Sequence, residues 1–265
     1  MISDLHVEHG GFIAPNCPVD AVVVAGDLAD GPHVRKALRD LRKQVSAPIL
    51  YVPGNHDWYG LDVITDRQKH LDDWASVSPD IQVLDDATWT FTRGDHRWRI
   101  IGSTWWSAMA WKSGLDSSAP AEEFVTDFHV IQAGGRRLKA VDVQAFHARS
   151  TAFLAAEIRN ALALGETPVV VTHYPPSPQC GHPCFAGDAL NAYFLNDEEH
   201  LTEGVALWIY GHVHHSWDHR LPNGCRLLSN PKGYRWENEA FESGLVIEVP
   251  ICAPQTVREG GRNAQ

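Results

Sequence analysis

The chain has 265 residues, 44% of them apolar and 21% charged, an ordinary globular composition with enough length for a full-sized buried core. Its formal net charge of -11 argues against a duplex-coating nucleic-acid binder, which needs clustered Lys and Arg to neutralise phosphates. A small phosphorylated substrate remains compatible with that acidity, because a bound metal can supply the local positive charge. The five cysteines, Cys17, Cys180, Cys184, Cys225 and Cys252, include no Cys-x-x-Cys pair, which points to a reducing compartment rather than a disulfide framework. Cys180 and Cys184 flank Gly181-His182-Pro183 and, with His182, form a less favoured metal set. No apolar run approaches the ~20 residues of a membrane span, and Asp4, His6 and Glu8 do not belong in a signal peptide. The expectation is a soluble, cytoplasmic protein with no membrane partner; its oligomeric state is not legible.

In chain order, Asp4 and His6 come first. Two apart on an extended segment, they share one side and can reach one ion. Only three residues precede Asp4, too few to anchor a strand, which suggests a natural start upstream of Met1 or a shortened first strand. Residues 21–25 are a near-continuous apolar run, the mark of a strand covered on both faces, and end in Gly26-Asp27. Pro32 opens a helix with Val34, Leu38, Leu41 and Val45 on one face, closed by Pro48. Residues 49–52 form a second buried strand and deliver Gly54-Asn55-His56-Asp57 onto a loop at its carboxyl end, where open α/β sheets place their chemistry. Strand, helix, strand puts both loops on one edge.

A further helix is predicted over 61–77, then strands over 81–84, 88–92 and 98–102, the last two joined through Arg93-Gly94-Asp95. From 103 to 138 the composition changes: Trp105, Trp106 and Trp111 lie among Gly, Ser and Pro, with Phe124 and Phe128 on a helix. This excursion either packs on the core or forms a lid over the site. A long helix spans 141–164 and ends at Gly165. A strand over 168–172 delivers His173 ahead of a rigid loop at 174–178, and one over 205–210 delivers Gly211-His212-Val213-His214. Asn223-Gly224 turns a hairpin between 217–219 and 226–228. Residues 230–234 form a loop and 245–249 a last strand. Residues 1–252 read as one domain, and 253–265 as a flexible tail.

Asp4/His6, Asp27, Asn55/His56, His173 and His212/His214 thus all follow predicted strands, and all offer oxygen or imidazole donors suited to divalent transition metals. Gly precedes Asp27, Asn55 and His212, where a small residue permits close approach. More donors gather than one ion needs, which implies two ions sharing a ligand, an arrangement suited to phosphoester hydrolysis.

The order Asp-x-His, Gly-Asp, Gly-Asn-His-Asp, His, Gly-His-x-His resembles the calcineurin-like metallophosphoesterase family over residues 4–214. The resemblance implies an α/β fold, a four-layer αββα sandwich of two mixed sheets flanked by helices. It also implies metal sites of Asp4, His6, Asp27 and His214 for one ion and Asp27, Asn55, His173 and His212 for the other, with Asp27 bridging. The ions would be Mn or Fe, with Zn a further option. By the same resemblance His56 acts at the leaving oxygen as acid or electrostatic group, and Asp30 orients it. The chain lacks the Arg of the protein Ser/Thr phosphatase motif and has Asp57 where that branch has Glu, which favours the small-molecule phosphodiesterase branch. The implied activity is hydrolysis of a small phosphorylated molecule or nucleotide by a hydroxide held between two ions, with a phosphomonoesterase or a non-catalytic metal-bearing module as alternatives. Tyr174, Tyr234, Lys232 and Trp105 are candidate substrate contacts; the remaining histidines, His215 and His219 included, read as structural or surface groups.

Overall fold

The structure, a computed structural model, describes residues 1–235 and 237–249. Two sheets lie face to face. The smaller is built from β1 (Val22–Ala25), β2 (Ile49–Val52) and β3 (Ile81–Val83) in that spatial order, all parallel. Its crossovers carry α1 (Val34–Arg42) and α2 (Arg67–Ala75). The larger sheet contains β4 (Ala87–Arg93) and β5 (His96–Ser103). After the short ribbon of β6 (Gln132–Ala133) and β7 (Arg136–Arg137), it continues with β8 (Thr167–Thr172), β9 (Leu207–Tyr210), β10 (Trp217–Arg220) and β11 (Arg226–Ser229). Its order is β10-β11-β9-β8-β5-β4, parallel in the middle and closed at each side by an antiparallel hairpin. The helices α3 (Ser118–Phe124), α4 (Asp127–Val130), α5 (Ala140–Ala163) and α6 (Asn191–Phe194) complete the fold.

The period-two alternation of strand side chains separates the layers. Ile49 and Tyr51 of β2 pack outward with Leu38, Leu41, Leu71 and Trp74 from α1 and α2, while Leu50 and Val52 pack inward with Val169, Val171, Leu207 and Ile209 of the larger sheet. On the far side Ile101, Val170, Trp208 and Leu227 meet Leu154 and Ile158 of α5. Helix, sheet, sheet, helix is therefore the layering, and both strand runs read as continuous apolar segments because each face is covered.

Two elements depart from the sequence reading. The helix expected over 61–77 is confined to Arg67–Ala75, because the Asp62 carboxylate accepts hydrogen bonds from Ile64 N and Thr65 N and folds the preceding residues into a turn. Residues 245–249 belong to no strand: Leu245, Ile247 and Val249 turn toward the core between the sheets and Val246 is exposed, so the alternation reported packing and not ladder pairing. From Pro178 onward the chain folds into short turns and α6. The tail expected from 253 lies outside the described residues. Among the described residues no helix is long and apolar enough to cross a membrane.

Candidate metal centre

The segment before β1 runs alongside it, with Ile2 bridging Val24 in parallel and Asp4 N donating to Gly26 O at 2.9 Å. This brings Asp4 and His6 to the edge where β1, β2, β8 and β9 release Asp27, Asn55, His173 and His212. Three donor groups result among the described residues, each with its ligand atoms within 4.8 Å of one another: Asp4, His6, Asp27 and His214; Asp27, His173 and His212; and, sharing only His6 with the first, His6, Glu8 and His56. Asn55 Oδ1 joins the second group, 2.9 Å from His173 Nε2. Asp27 belongs to the first two; its Oδ2 lies 3.7 Å from His6 Nε2 and 3.4 Å from His173 Nε2.

The local backbone is built for this convergence. Asp4, His6, Asp27, His212 and His214 all have positive φ, between 40° and 69°, a region that costs a non-glycine residue about 1–3 kcal/mol and persists where the surroundings over-determine it. Glycine is required beside them. A Cβ on Gly54 would stand 2.1 Å from Asp27 Oδ1, and one on Gly26 2.1 Å from His173 Nδ1. Asp57 explains how the two loops hold together: its buried carboxylate accepts hydrogen bonds from the backbone N–H groups of Asp27, Leu28, Ala29 and Gly54 at 2.7–3.1 Å. Burial and the charge of Asp27 push its carboxyl up to about 7, against the pull of those N–H donors.

The residues fit metal ions. Asp4 Oδ2 and His212 Nε2 are buried without a hydrogen-bond partner, whereas buried polar atoms are nearly always paired, and each belongs to one of the two groups that share Asp27. Carboxylate, amide oxygen and imidazole form a donor set for Mn, Fe or Zn. The field is matched: burial alone would lower the His173 and His214 pKa values, but Asp27 raises the first to about 9, and Asp4 and Glu237 raise the second to about 10.

Several partners behind the ligands carried no sequence signal. His6 Nδ1 meets Glu8 Oε1 at 3.3 Å and His214 Nδ1 meets Glu237 Oε2 at 2.6 Å; His173 Nδ1 meets Ala25 O at 3.0 Å. Asp127, fully buried at the start of α4, accepts from Asn55 Nδ2 at 3.0 Å, Tyr59 Oη at 2.8 Å and Tyr193 Oη. By holding the amide nitrogen it turns Asn55 Oδ1 toward the second donor group. Such outer partners fix ligand orientation.

His56 sits over the centre, its ring stacked on Tyr59 at 4.0 Å, its Nε2 3.1 Å from Tyr234 Oη, and its backbone N–H donating to Asp27 Oδ1 at 2.9 Å. Asp30 Oδ1 stands 3.8 Å from His56 Nδ1, an ion-pair separation beyond direct hydrogen bonding. Burial would lower the His56 pKa, but Asp27 together with Asp30 and Asp127 raises it to about 9. A cavity of about 450 Å³ opens from this edge, lined by Asp27, Asn55, His56, His212 and Tyr234 among others.

Three of the expected substrate contacts do not line this cavity. Trp105 is fully buried, its Nε1 donating to Thr151 Oγ1 at 2.8 Å, because β5 carries it under α5. Lys232 Nζ is taken up by Leu5 O and Gly10 O. Tyr174 is buried against the His212 ring with its hydroxyl on Tyr193. Cys180 is buried and Cys184 exposed, and no donor group among the described residues contains them or His182.

With two donor groups sharing one carboxylate at the mouth of a two-sheet sandwich, the molecule has the form of a metal-dependent hydrolase. Residues 2–216 match the calcineurin-like phosphoesterase family model, and the chain belongs to that family. Membership makes it a phosphoester hydrolase and implies two divalent metal ions. The chain is 24% identical over 280 residues to an uncharacterised protein of Acanthamoeba polyphaga mimivirus, covering 94% of this chain and 95% of that one. Among solved structures it is similar to the phosphopantetheinyl hydrolase of Mycobacterium tuberculosis, with a TM-score of 0.71, 21% identity and 96% coverage of both chains. It also resembles, at a TM-score of 0.45 and 16% identity, a dimetal phosphatase from Danio rerio, covering 80% of this chain and 72% of that one.

Proposed function

We propose that the protein is a phosphodiesterase of small phosphorylated molecules or nucleotides, with two ions, Mn or Fe, held by Asp4, His6, Asp27 and His214 and by Asp27, Asn55, His173 and His212. The observation that supports it most directly is the membership of Asp27 in both donor groups. Two such ions, when bound, supply Lewis-acid charge to phosphoryl oxygens and a nucleophile at neutral pH. The chain's own residues do the rest. Asp57 holds the Asp27 and Asn55 loops in register, and Asp127 orients Asn55. His56, braced by Tyr59 and met by Tyr234, is the group placed to give a proton or positive charge to the departing oxygen.

Free thiols in the described part of the chain fit a cytoplasmic setting. The neighbour named as a phosphopantetheinyl hydrolase adds phosphopantetheinyl esters to the substrates worth assaying. The test is a panel of cyclic nucleotides, aryl and phosphopantetheinyl diesters, and matching monoesters with added Mn²⁺. Diester turnover above monoester turnover is expected. The reverse order makes the protein a phosphomonoesterase, and no turnover with any divalent ion overturns hydrolysis altogether.

A further inference from the structure

The cavity is two-sided. One side is the donor edge; the other is apolar and comes from two separate excursions of the chain. Phe124 ends α3, and Phe185, Leu190 and Phe194 lie between the β8 and β9 strands. Phe124 and Phe185 remain 68% and 58% exposed. Four large apolar side chains lining one cavity beside a site offer an apolar group a surface to cover. The wall is continuous with the metal edge, since the Phe194 ring stacks on the His212 ring at 5.2 Å. Charge adds a second constraint. The described lining includes the acidic residues Asp27, Asp127, Asp188 and Glu237, and no Lys or Arg. A phosphoryl group at the donor edge can be neutralised there, and Glu237 is taken up by His214, but an anionic group further along would face Asp188 with no Lys or Arg in the described lining.

Building on the reading that a phosphoryl group is held at this edge, we propose that the preferred substrate carries a single phosphoryl group esterified to an extended apolar substituent, which lies along the Phe124, Phe185 and Phe194 wall. Substrates with a second anionic group on that arm are disfavoured. Each buried methylene adds about 0.8 kcal/mol, so a few covered methylenes raise affinity about tenfold or more.

Non-hydrolysable alkylphosphonates of increasing length, titrated calorimetrically into the Mn²⁺-loaded protein, test this without turnover. Affinity is expected to climb at least tenfold from methyl- to octylphosphonate. Octylphosphonate should also bind several-fold more tightly than an analogue of equal length ending in a carboxylate. Phe124→Ser and Phe185→Ser, both at exposed positions, should flatten the dependence on length. Affinity independent of length, a slope untouched by both substitutions, or tighter binding of the carboxylate-ended analogue would each overturn the proposal. The length dependence stands or falls by itself: seen in a protein that turns over no ester, it keeps the wall and removes the hydrolase reading, while turnover with flat affinity does the opposite.

Discussion

At the metal edge, seven donors hang from the ends of packed strands and from the segment beside β1, and their backbone is so constrained that five of them hold left-handed conformations. Across the cavity the wall stands on two short helices, α3 and α6, and a turn, with two phenylalanines largely in solvent. The first side is preorganised: geometry is fixed before any ligand arrives, at the cost of strain and of buried polar atoms without partners. The second side is fitted to contact and needs no such precision, because apolar attraction is non-directional. Chemistry should therefore be lost by changes of a single atom on the first side and only graded by changes on the second.

The largest effect expected comes from Asp27→Ala. It removes the carboxylate common to both groups, so metal content measured by elemental analysis should fall for both ions and hydrolysis should drop to background. Gly54→Ala should approach this loss without touching a donor, because the added Cβ meets Asp27 Oδ1 at 2.1 Å and Asp27 N at 2.6 Å, too close for the loop to keep its form. An alanine variant that retained both ions would refute the preorganised edge. Next in size is His56→Ala. Loss of an acid or charge at the leaving oxygen is expected to lower the rate on the order of 10²–10⁴-fold while metal content stays at the wild-type level. Parallel loss of metal would assign His56 to the architecture of the centre instead.

How far the sequence reveals the two sides follows from the same contrast. Apart from Asp4 and His6, which share a side by their spacing alone, the donors are legible because they follow apolar strand runs, and three follow glycine, so local pattern and tertiary position coincide. Asp57 is visible as a residue but not as a tie, since its partners are backbone N–H groups of a loop 28 to 30 residues away. Asp127 carries no signal at all. Its role exists only once the excursion folds back and brings α4 to Asn55, 72 residues distant in the chain. Trp105 misleads for the opposite reason: its neighbours look like a lid, yet it follows β5 closely enough to be driven into the core. Lys232 is a cation whose charge is spent on two carbonyls, which composition cannot show.

Asp127 joins the two sides, lying in the excursion and acting on a donor. Asp127→Ala should weaken metal binding or activity by about 10–100-fold, the range for outer partners of metal ligands. Asp127→Asn keeps an oxygen that can accept from Asn55 Nδ2 and should recover part of the loss. The measurement is metal affinity by titration alongside the rate. Equal behaviour of the two variants would show that Asp127 acts through packing rather than through the Asn55 amide.

The smallest effect concerns how the excursion is moored. Asp62 accepts from the backbone of Ile64 and Thr65 on its own turn and from Gly134 and Gly135 in the ribbon that follows α4. Slight burial opposes ionisation, but those four N–H groups outweigh it and hold the carboxyl well below the usual carboxylate range. A depressed folded-state pKa contributes stability that is fully present above the unfolded value of about 4 and is lost as pH falls from there toward the folded value. Asp62→Asn is expected to cost about 1–2 kcal/mol at neutral pH, the scale of hydrogen bonds to a charged group. Urea unfolding should show the gap between wild type and variant narrowing as pH falls below about 4, because the wild type then forfeits the same interaction. If the gap stays constant down to pH 3, the ionised carboxylate is not what ties the ribbon to the turn. The cavity wall would then owe its place to the apolar contacts of Phe128, Ile131 and Ala133 in the core under α4.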